Sequence, residues 1–162
     1  MTRPLFETPH PAEPWPERLG PGAVLLHGFA TAATPALLDA LARIAESAPF
    51  RPMITPSGHR MSAAMTNCGA RGWVSDRTGY RYETLDPETG RPWPPLPDRF
   101  LRLARDAAAQ AGFADFLPDA CLINRYLPDA RMSLHQDRDE RGLTAPIVSV
   151  SFGLPAVFLW GA

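Results

Sequence analysis

The chain has 162 residues, of which 45% are hydrophobic and 20% charged, and its net charge at pH 7 is −1. These values predict one globular domain with a substantial core, and the near-zero charge excludes a general basic field that would attract polyanions. No apolar run approaches the roughly 20 residues of a membrane span, and the N-terminus lacks the basic start and apolar middle of a signal peptide. We therefore expect a cytoplasmic protein with no membrane partner.

The cysteine content points to the same compartment. Cys68 and Cys121 are the two cysteines of the chain, and neither has a second thiol near it in the sequence. This spacing predicts neither a disulfide framework nor a thiolate zinc site, and it fits a reducing environment.

The first part of the chain combines a proline-rich arm with one helix. Residues 1–22 contain six prolines and are predicted to form an irregular arm, pinned by Phe6 and Trp15. The apolar run 23–26 predicts a short strand. A helix is then expected to begin at Thr34-Pro35, with Thr34 as N-cap and proline at the first helical position. It ends before Pro49, and its apolar stripe consists of Leu37, Leu41 and Ile44.

Residues 50–95 show no helical period and are rich in Gly and Pro. The short runs 61–66 and 80–83 predict strands, with turns at residues 56–58 and 86–87. The stretch from Ser57 to Tyr82 is locally basic, because it contains one acidic residue, Asp76, and four arginines: Arg60, Arg71, Arg77 and Arg81.

A second helix is predicted over residues 97–111, with Gly112 at its C-terminal cap. Its apolar face consists of Phe100, Leu103, Ala104 and Ala107. Beyond it the pattern is that of β-structure, and the alternation over residues 121–126 places Leu122, Asn124 and Tyr126 on one face of a strand. A turn is expected at Pro128-Asp129. Further strands are predicted over residues 133–137, 147–152 and 157–160.

His135 and Asp137 are separated by one residue in the predicted strand 133–137. Period-2 geometry puts both side chains on one face with their tips close together. A converging imidazole and carboxylate suit a first-row divalent metal, and two-His-one-carboxylate sites with open positions are typical of non-haem Fe(II) oxygenases. Such a pair is frequent by chance, however, and taken alone it is better explained as an ordinary surface pair.

Four segments that occur together change this interpretation. They are residues 61–69 (MSAAMTNCG), Gly72-Trp73 with residues 79–82 (GYRY), residues 118–126 (PDACLINRY), and residues 133–137 (SLHQD) with 146–151 (PIVSVS). In this order the set resembles the bacterial AlkB family of Fe(II)- and 2-oxoglutarate-dependent dioxygenases. The resemblance runs from about Ala23 to Ala162.

The resemblance implies a mainly β fold with N-terminal helices, in which the core is a double-stranded β-helix, or jelly roll, of two antiparallel sheets. Residues 1–22 would be an arm and residues 23–162 the dioxygenase domain. Within that domain, residues 50–95 would form a nucleotide-recognition lid, and residues 118–162 the first part of the jelly-roll core.

The activity implied is oxidative demethylation of N-alkylated bases, such as 1-methyladenine and 3-methylcytosine, in DNA and as a second class in RNA. Its products are formaldehyde, succinate and CO2, and its role is the repair of alkylated DNA. The protein would be a monomer that acts on single strands. The sequence leaves open which lesion is preferred, whether the substrate is DNA or RNA, and whether it is single- or double-stranded.

By the same resemblance, His135 and Asp137 would hold Fe(II) together with a later His, and 2-oxoglutarate and O2 would be co-substrates. Asn124 and Tyr126 match positions that donate hydrogen bonds to the 2-oxoglutarate carboxylates. An ordinary cross-strand pair with a half-buried tyrosine is the alternative for these two residues. The cofactor supplies the demanding chemistry, while protein groups orient substrate and oxidant.

The lid residues implied are Trp73, Tyr80, Tyr82, Met61 and Met65. Chemistry on a base requires that the base leaves the stack for a pocket, and an indole such as Trp73, facing the ring of His135, would sandwich it. Stacking of this kind is worth about 1–3 kcal/mol per base. From the residues alone, the methionines and tyrosines would be read as core residues.

Three polar residues complete the implied substrate site. Thr55 matches a phosphate contact, with a turn hydroxyl as an equal alternative. Arg138 keeps the positive charge of a family position that faces the DNA backbone. Asp139 matches an acid that accepts a hydrogen bond from the exocyclic amine of the base, with a plain surface acid as the alternative. The other three histidines have no acid partner at ligand spacing and are predicted to be ordinary loop or strand residues.

The sequence departs from the family at two points. No His follows His135, and the two arginines that clamp 2-oxoglutarate in the family would also come after Ala162. A jelly roll needs about eight strands, and about four are predicted from Cys121 onwards, which would leave an apolar strand edge unpaired. We therefore expect a partial gene product, inactive by itself, whose function is that of the whole enzyme.

Two other functions remain open at this stage. One is a non-catalytic module that uses the lid to bind alkylated or single-stranded nucleic acid. The other is a cupin-like hydrolase that uses His135 and Asp137 with zinc.

Overall fold

The computed structural model describes residues 14–135 and 144–159. Its elements in chain order are β1 (Trp15–Gly20), β2 (Ala23–His27), a 3-10 turn (Thr31–Ala33), α1 (Thr34–Ser47), β3 (Arg51–Ile54), β4 (Arg60–Gly69), β5 (Gly72–Asp76), β6 (Gly79–Glu83), α2 (Asp98–Gln110) and β7 (Ala120–Arg125). This part of the chain is therefore mostly β with two helices, as expected. None of the helices within the described ranges is long and apolar enough to cross a membrane.

The N-terminal arm is a correction to the sequence prediction. Residues 15–20 form β1, which pairs antiparallel with β2. Trp15 stacks on the ring of His27, with centroids 3.9 Å apart, and Nε2 of His27 lies 2.7 Å from the carboxylate of Glu17. These cross-strand contacts hold the hairpin together, and proline is tolerated in β1 because the strand is an edge. Phe6 lies outside the described residues.

Helix α1 forms where its apolar stripe predicts, and it ends at Ser47, two residues before Pro49. Leu37 and Ile44 are 3% exposed. The prediction of Thr34 as N-cap is wrong, because the preceding 3-10 turn leads directly into the helix and makes Thr34 its first residue. The Thr34 hydroxyl donates back to the carbonyl oxygen of Ala30 instead.

Strand β4 is the centre of a three-stranded antiparallel sheet in the order β3-β4-β7. One face packs on the helices through a cluster of Ile44, Cys68 and Ile123, with Phe100 of α2 at its edge. The opposite face carries a second cluster, which consists of Ala48, Met53, Ala63, Met65, Val74 and Trp93. The lid hairpin, which we define as β5 and β6, packs on this second face.

The two cysteines meet across this sheet, which corrects the expectation that neither has a thiol nearby. Cys68 lies directly opposite Cys121 in the β4–β7 pair, and both are free thiols. Hydrogen bonding with Cys121 and burial both raise the pKa of Cys68, so Cys68 is a protonated, buried thiol. The distance in sequence hid this neighbour, because 52 residues lie between the two cysteines.

A buried ion pair connects the main sheet to the turn that follows the lid hairpin. Arg51 of β3 donates to both carboxylate oxygens of Asp86, and its guanidinium also lies over the ring of Trp93 at 5.6 Å. Asp86 is 4% exposed and also accepts from the Glu88 N–H and the Thr89 hydroxyl. Burial alone would raise the pKa of Asp86, but these hydrogen bonds and the charge of Arg51 lower it overall.

This ion pair makes an acid-sensitive contribution to stability. Because the pKa of Asp86 is lower in the folded than in the unfolded chain, its contribution is present above the ordinary aspartate pKa of about 3.9 and is lost as pH falls through the folded value. Asp86→Asn should cost about 3 kcal/mol at neutral pH, since Arg51 is left without its main counter-charge. Urea unfolding at neutral pH and at about pH 3 measures both effects.

The matched control is Asp76→Asn, which breaks a pair with Arg81 that is more exposed to solvent and should lower stability far less. In the Asp86→Asn protein the loss of stability on acidification should be smaller than in the wild type. The role assigned to the buried pair would be contradicted if Asp86→Asn and Asp76→Asn lost the same amount of stability at neutral pH. It would also be contradicted if acidification destabilised Asp86→Asn as much as the wild type.

Three strands predicted in the C-terminal part are absent from the described residues, which is a correction. Residues 133–135, 147–152 and 157–159 are extended or irregular without strand pairing. Their large side chains are exposed, Ile147 by 63%, Val157 by 89% and Phe158 by 78%. Alternation predicts which face a strand would bury, but a strand forms only where its backbone pairs with a neighbour.

Candidate active site

The face of β7 opposite the helices carries the two predicted 2-oxoglutarate residues. Because side chains alternate along a strand, Ile123 points into the core and Asn124 and Tyr126 lie on the other face, as predicted. Asn124 and Tyr126 are both exposed. Asn124 lies directly opposite Met65 of β4. Directly opposed residues of an antiparallel pair share a face, so Asn124 lies on the side of the sheet that carries the lid hairpin.

The segment after β7 is folded back on the sheet. Its turn is closed by the Ala130 N–H, which donates to the Leu127 carbonyl oxygen at 3.0 Å. The Arg131 N–H donates to the Ser62 hydroxyl of β4 at 3.0 Å, and that hydroxyl donates to the Arg131 carbonyl oxygen. The segment that leads to the predicted metal pair is therefore attached to the central strand of the sheet.

Tyr126 is held at the start of this segment. Its hydroxyl donates to the sulfur of Met132 at 3.6 Å, and partial burial raises the pKa of Tyr126. The phenol therefore stays protonated at neutral pH. A protonated hydroxyl is the form that can donate a hydrogen bond to a carboxylate.

His135 closes the described part of this segment, and its ring is exposed. Its Nδ1 lies 2.8 Å from the carbonyl oxygen of Ser133. Since a carbonyl oxygen only accepts, Nδ1 carries the proton and Nε2 is the nitrogen with metal-binding character. Metal-binding histidines commonly have one ring nitrogen donating to a backbone carbonyl in this way, so the geometry of His135 fits a ligand of Fe(II).

The other members of the predicted metal and backbone set lie outside the described residues: Asp137, Arg138 and Asp139. Among residues 14–135 and 144–159, no three His, Cys, Asp or Glu side chains lie close enough together to hold a metal ion. The assignment of the metal pair therefore stays a prediction, with His135 as its described member.

The lid hairpin brings the predicted aromatic residues together. Trp73 lies opposite Tyr82 in the β5–β6 pair, and its indole stacks on the diagonal neighbour Tyr80 with centroids 5.6 Å apart and an angle of 15° between the planes. Tyr80 is 44% exposed, whereas Trp73 and Tyr82 are half-buried. The result is a partly exposed aromatic surface on the hairpin.

The two predicted methionines differ in their surroundings. Met61, near the start of β4, is half-buried and packs against the cluster under the lid hairpin. Met65 is 1% exposed and belongs to that cluster. Met61 is therefore partly accessible and packs against the same cluster as Trp73, while Met65 is buried within that cluster.

Thr55 lies at the turn between β3 and β4. Its hydroxyl accepts from the His59 N–H at 3.1 Å and lies 2.9 Å from the Ser57 hydroxyl, and its carbonyl oxygen accepts from the Gly58 N–H. These hydrogen bonds stabilise the turn and explain why a threonine stands at position 55. They match the turn-hydroxyl alternative, and a contact with phosphate stays a prediction.

The basic excess of the lid region is partly neutralised within the hairpin. Arg81 donates to both carboxylate oxygens of Asp76 and to Glu83. The hydrogen bond from Arg81, with that from Thr78, lowers the pKa of Asp76. Arg81 therefore stabilises the hairpin, and its charge is less available to a phosphate than the sequence count indicates.

Two residues that the sequence interpretation passed over hold the lid hairpin on the sheet. The side-chain amide of Asn67 in β4 bonds the backbone of Trp73, and the Ser75 hydroxyl donates to the Ile54 carbonyl oxygen at 2.6 Å. A polar amide in the middle of an apolar strand run was the available signal for Asn67, since asparagine is depleted in strands.

The comparisons with known proteins decide the family. The chain matches the 2OG-Fe(II) oxygenase superfamily over residues 22–162. It is 59% identical over 148 residues to the alpha-ketoglutarate-dependent dioxygenase AlkB of Salmonella typhimurium, which covers 91% of this chain and 68% of that protein. The chain belongs to the AlkB family of 2OG-Fe(II) oxygenases.

Further AlkB-family relatives agree with this assignment. The chain is 55% identical over 150 residues to the AlkB dioxygenase of Escherichia coli, covering 93% of this chain and 69% of that protein. It is also 34% identical over 90 residues to the human nucleic acid dioxygenase ALKBH1, covering 55% of this chain and 23% of that protein. The resemblance stated from the four sequence segments is thus confirmed.

Membership of the family fixes the class of enzyme and its cofactors. This AlkB-family protein is a dioxygenase that uses Fe(II), 2-oxoglutarate and O2. The zinc hydrolase that the isolated His135 and Asp137 pair left open is thereby excluded.

Proposed function

We propose that this protein repairs DNA by oxidative demethylation of N-alkylated bases, with 1-methyladenine and 3-methylcytosine as substrates in DNA and RNA as a second class. The family supports oxidative chemistry on nucleic acids through the AlkB dioxygenases and the nucleic acid dioxygenase ALKBH1. The observation that carries the choice of a base as substrate is the stacked, partly exposed pair of Trp73 and Tyr80 on the lid hairpin.

The flat face of a base suits this aromatic surface. A base must leave the helix stack to react and thereby loses its stacking contacts with neighbouring bases. An aromatic side chain in the pocket replaces these contacts. Trp73 is proposed to stack on one face of the base and the ring of His135 on the other, with Tyr80, Tyr82 and Met61 around its edge. Met65 supports the site from the core. Such stacking is indifferent to base identity, so polar groups must distinguish the lesion.

Three further side chains are proposed to make the polar contacts with nucleic acid. Thr55 and Arg138 contact backbone phosphates, and Asp139 accepts a hydrogen bond from the exocyclic amine of the base. A carboxylate that faces this amine favours adenine and cytosine, which both carry one, over bases that lack it. Single-stranded substrate is proposed because an unpaired base costs least to extrude.

His135 and Asp137 are proposed to hold Fe(II), and Asn124 and Tyr126 to hold 2-oxoglutarate. The Asn124 amide N–H and the protonated Tyr126 hydroxyl are donors suited to carboxylate oxygens. When bound, Fe(II) with 2-oxoglutarate and O2 supplies the oxidation of the N-methyl carbon, which leaves as formaldehyde while 2-oxoglutarate becomes succinate and CO2. One methyl group, one 2-oxoglutarate and one O2 are consumed for each repaired base.

The fold proposed for the core is the jelly roll, to which β7 would belong. In this division, residues 23–162 form the domain and residues 1–22 precede it, with β1 paired on β2 across the boundary; residues 50–95 form the lid, and residues 118–162 enter the core. We also propose a monomer located in the cytoplasm, where bacterial DNA lies.

The decisive experiment uses the complete gene product with a single-stranded oligonucleotide that contains one 1-methyladenine or 3-methylcytosine. With Fe(II), 2-oxoglutarate and air, mass spectrometry should show loss of the methyl group, with formaldehyde and succinate formed in equal amounts. Omission of any one of the three components should stop the reaction. Tight binding of the methylated strand without methyl loss would instead indicate a non-catalytic binding module and refute the proposal.

A further inference from the structure

Asn67 is fully buried near the C-terminal end of β4, on the face that carries the lid hairpin. Its Nδ2 donates to the Trp73 carbonyl oxygen at 2.9 Å, and its Oδ1 accepts from the Trp73 N–H at 3.0 Å. A primary amide thus bonds both main-chain groups of one residue. This residue is the tryptophan on which the proposed base would stack.

The amide replaces a missing strand neighbour. β5 pairs with β6 in a two-stranded sheet that is separate from β3-β4-β7. In an antiparallel pair, both main-chain groups of a residue point to the same side, and those of Trp73 point at Asn67. The hairpin is therefore attached to β4 at this residue by a side chain and not by a backbone ladder.

Close packing at Gly72 supports this attachment. A Cβ at Gly72 would come within 2.8 Å of the Asn67 Cβ and within 2.4 Å of the Trp93 ring. Only glycine lets β5 approach β4 closely enough for the short asparagine side chain to span the gap. The Trp93 Nε1–H in turn donates to the Glu83 carbonyl oxygen at 3.0 Å, which holds β6 from the same side.

We propose that Asn67 is a positioning residue that fixes the backbone of Trp73 and thereby orients the indole against which the substrate base stacks. The two hydrogen bonds fix the direction of the Trp73 Cα–Cβ bond, and the stack on Tyr80 fixes the ring. This inference rests on the proposed function in one respect, namely that the ligand of the indole is a nucleobase.

The test compares Asn67→Leu with Thr66→Val in the complete gene product. Leucine keeps the branched shape and the number of side-chain heavy atoms of asparagine and removes both bonds. Thr66 is the adjacent residue of β4, is 2% exposed, and donates to the Ala48 carbonyl oxygen at 2.7 Å on the other side of the strand. Thr66→Val thus removes one buried side-chain to main-chain bond without touching the lid hairpin.

The first readout is the fluorine NMR spectrum of protein labelled with 5-fluorotryptophan, in which Trp73→Phe assigns the Trp73 signal. We expect Asn67→Leu to shift or broaden this signal while Thr66→Val leaves it unchanged, although both variants lower the melting temperature. An unchanged Trp73 signal in Asn67→Leu, or an equal change in Thr66→Val, would overturn the inference whatever the activity of the protein.

The second readout is the steady-state kinetics on the methylated strand. Since part of the stacking contact is lost, KM for the oligonucleotide should rise about tenfold in Asn67→Leu, with kcat and the KM for 2-oxoglutarate nearly unchanged. If Asn67→Leu does not fold, Asn67→Ala removes both bonds without adding a charge or bulk, and should show the same changes. A fall in kcat with unchanged KM in both variants would contradict positioning of the base-stacking surface.

A shifted Trp73 signal together with a wild-type protein that leaves methylated strands unaltered would support Asn67 as the residue that positions Trp73. That outcome would at the same time refute demethylation as the function. The two proposals therefore fail separately.

Discussion

His135→Ala is expected to abolish demethylation by the complete gene product, with product formation reduced by at least about 100-fold. Loss even of an outer partner of a metal ligand lowers metal affinity or activity by about 10- to 100-fold, so loss of the ligand itself should exceed that range. The exposed imidazole of His135, whose Nδ1 donates to the Ser133 carbonyl oxygen, should be dispensable for the fold. Formaldehyde release from a methylated oligonucleotide measures the effect.

His59→Ala is the matched control for this change, because His59 is also exposed and lies in a turn. It should retain the wild-type rate, and both variants should have the wild-type melting temperature within about two degrees. If His135→Ala kept substantial activity at saturating Fe(II), the assignment of His135 as a metal ligand would be wrong.

Trp73→Leu should raise KM for the methylated strand by about 5- to 150-fold, which corresponds to the roughly 1–3 kcal/mol of one base–aromatic stack. The uncoupled turnover of 2-oxoglutarate without oligonucleotide should remain, since Trp73 lies on β5 and has no part in the proposed iron ligands. Trp73→Phe should recover part of the affinity. Kinetics with varied oligonucleotide, together with succinate formation in its absence, separate these effects.

Trp15→Leu provides the comparison for the loss of an indole. Trp15 stacks on His27 in the β1–β2 hairpin and belongs to no proposed contact with substrate. Its replacement should leave KM unchanged, although the hairpin loses stability. Equal KM increases in the two leucine variants would show that the effect of Trp73 is one of general stability.

Much of the fold follows from patterns within short stretches of the sequence. The stripe of Leu37, Leu41 and Ile44 predicted α1, and Gly112, with a positive φ of 96°, terminates α2 where a glycine cap was expected. The alternation over residues 121–126 gave the correct faces of β7. These features depend on neighbours in the sequence, and a period or a cap residue reports on them directly.

Other features depend on partners distant in sequence, and no local pattern indicates them. β1 forms within a proline-rich stretch because β2 offers it a partner, and the predicted strands 133–137, 147–152 and 157–160 show no such pairing in their described residues. The contact between Cys68 and Cys121 depends equally on the pairing of two distant strands.

The same distinction between local and distant partners applies to the candidate site. The aromatic residues of the lid were found by resemblance, and the hairpin register explains why Trp73 and Tyr80 stack. The role of Asn67 could not be predicted, because it requires knowing that β5 passes beside β4 without forming a backbone ladder. A single asparagine within a strand is an exception to strand propensity and signals a special role. It does not indicate which group its side chain bonds.

Binding of ferrous iron and 2-oxoglutarate under anaerobic conditions tests the central claim most directly. The complete gene product should develop a visible charge-transfer absorption band when both are added. This band should be absent from His135→Ala and from Asp137→Ala, and present in His59→Ala. A band of undiminished intensity in either of the first two variants would contradict the account of the active site.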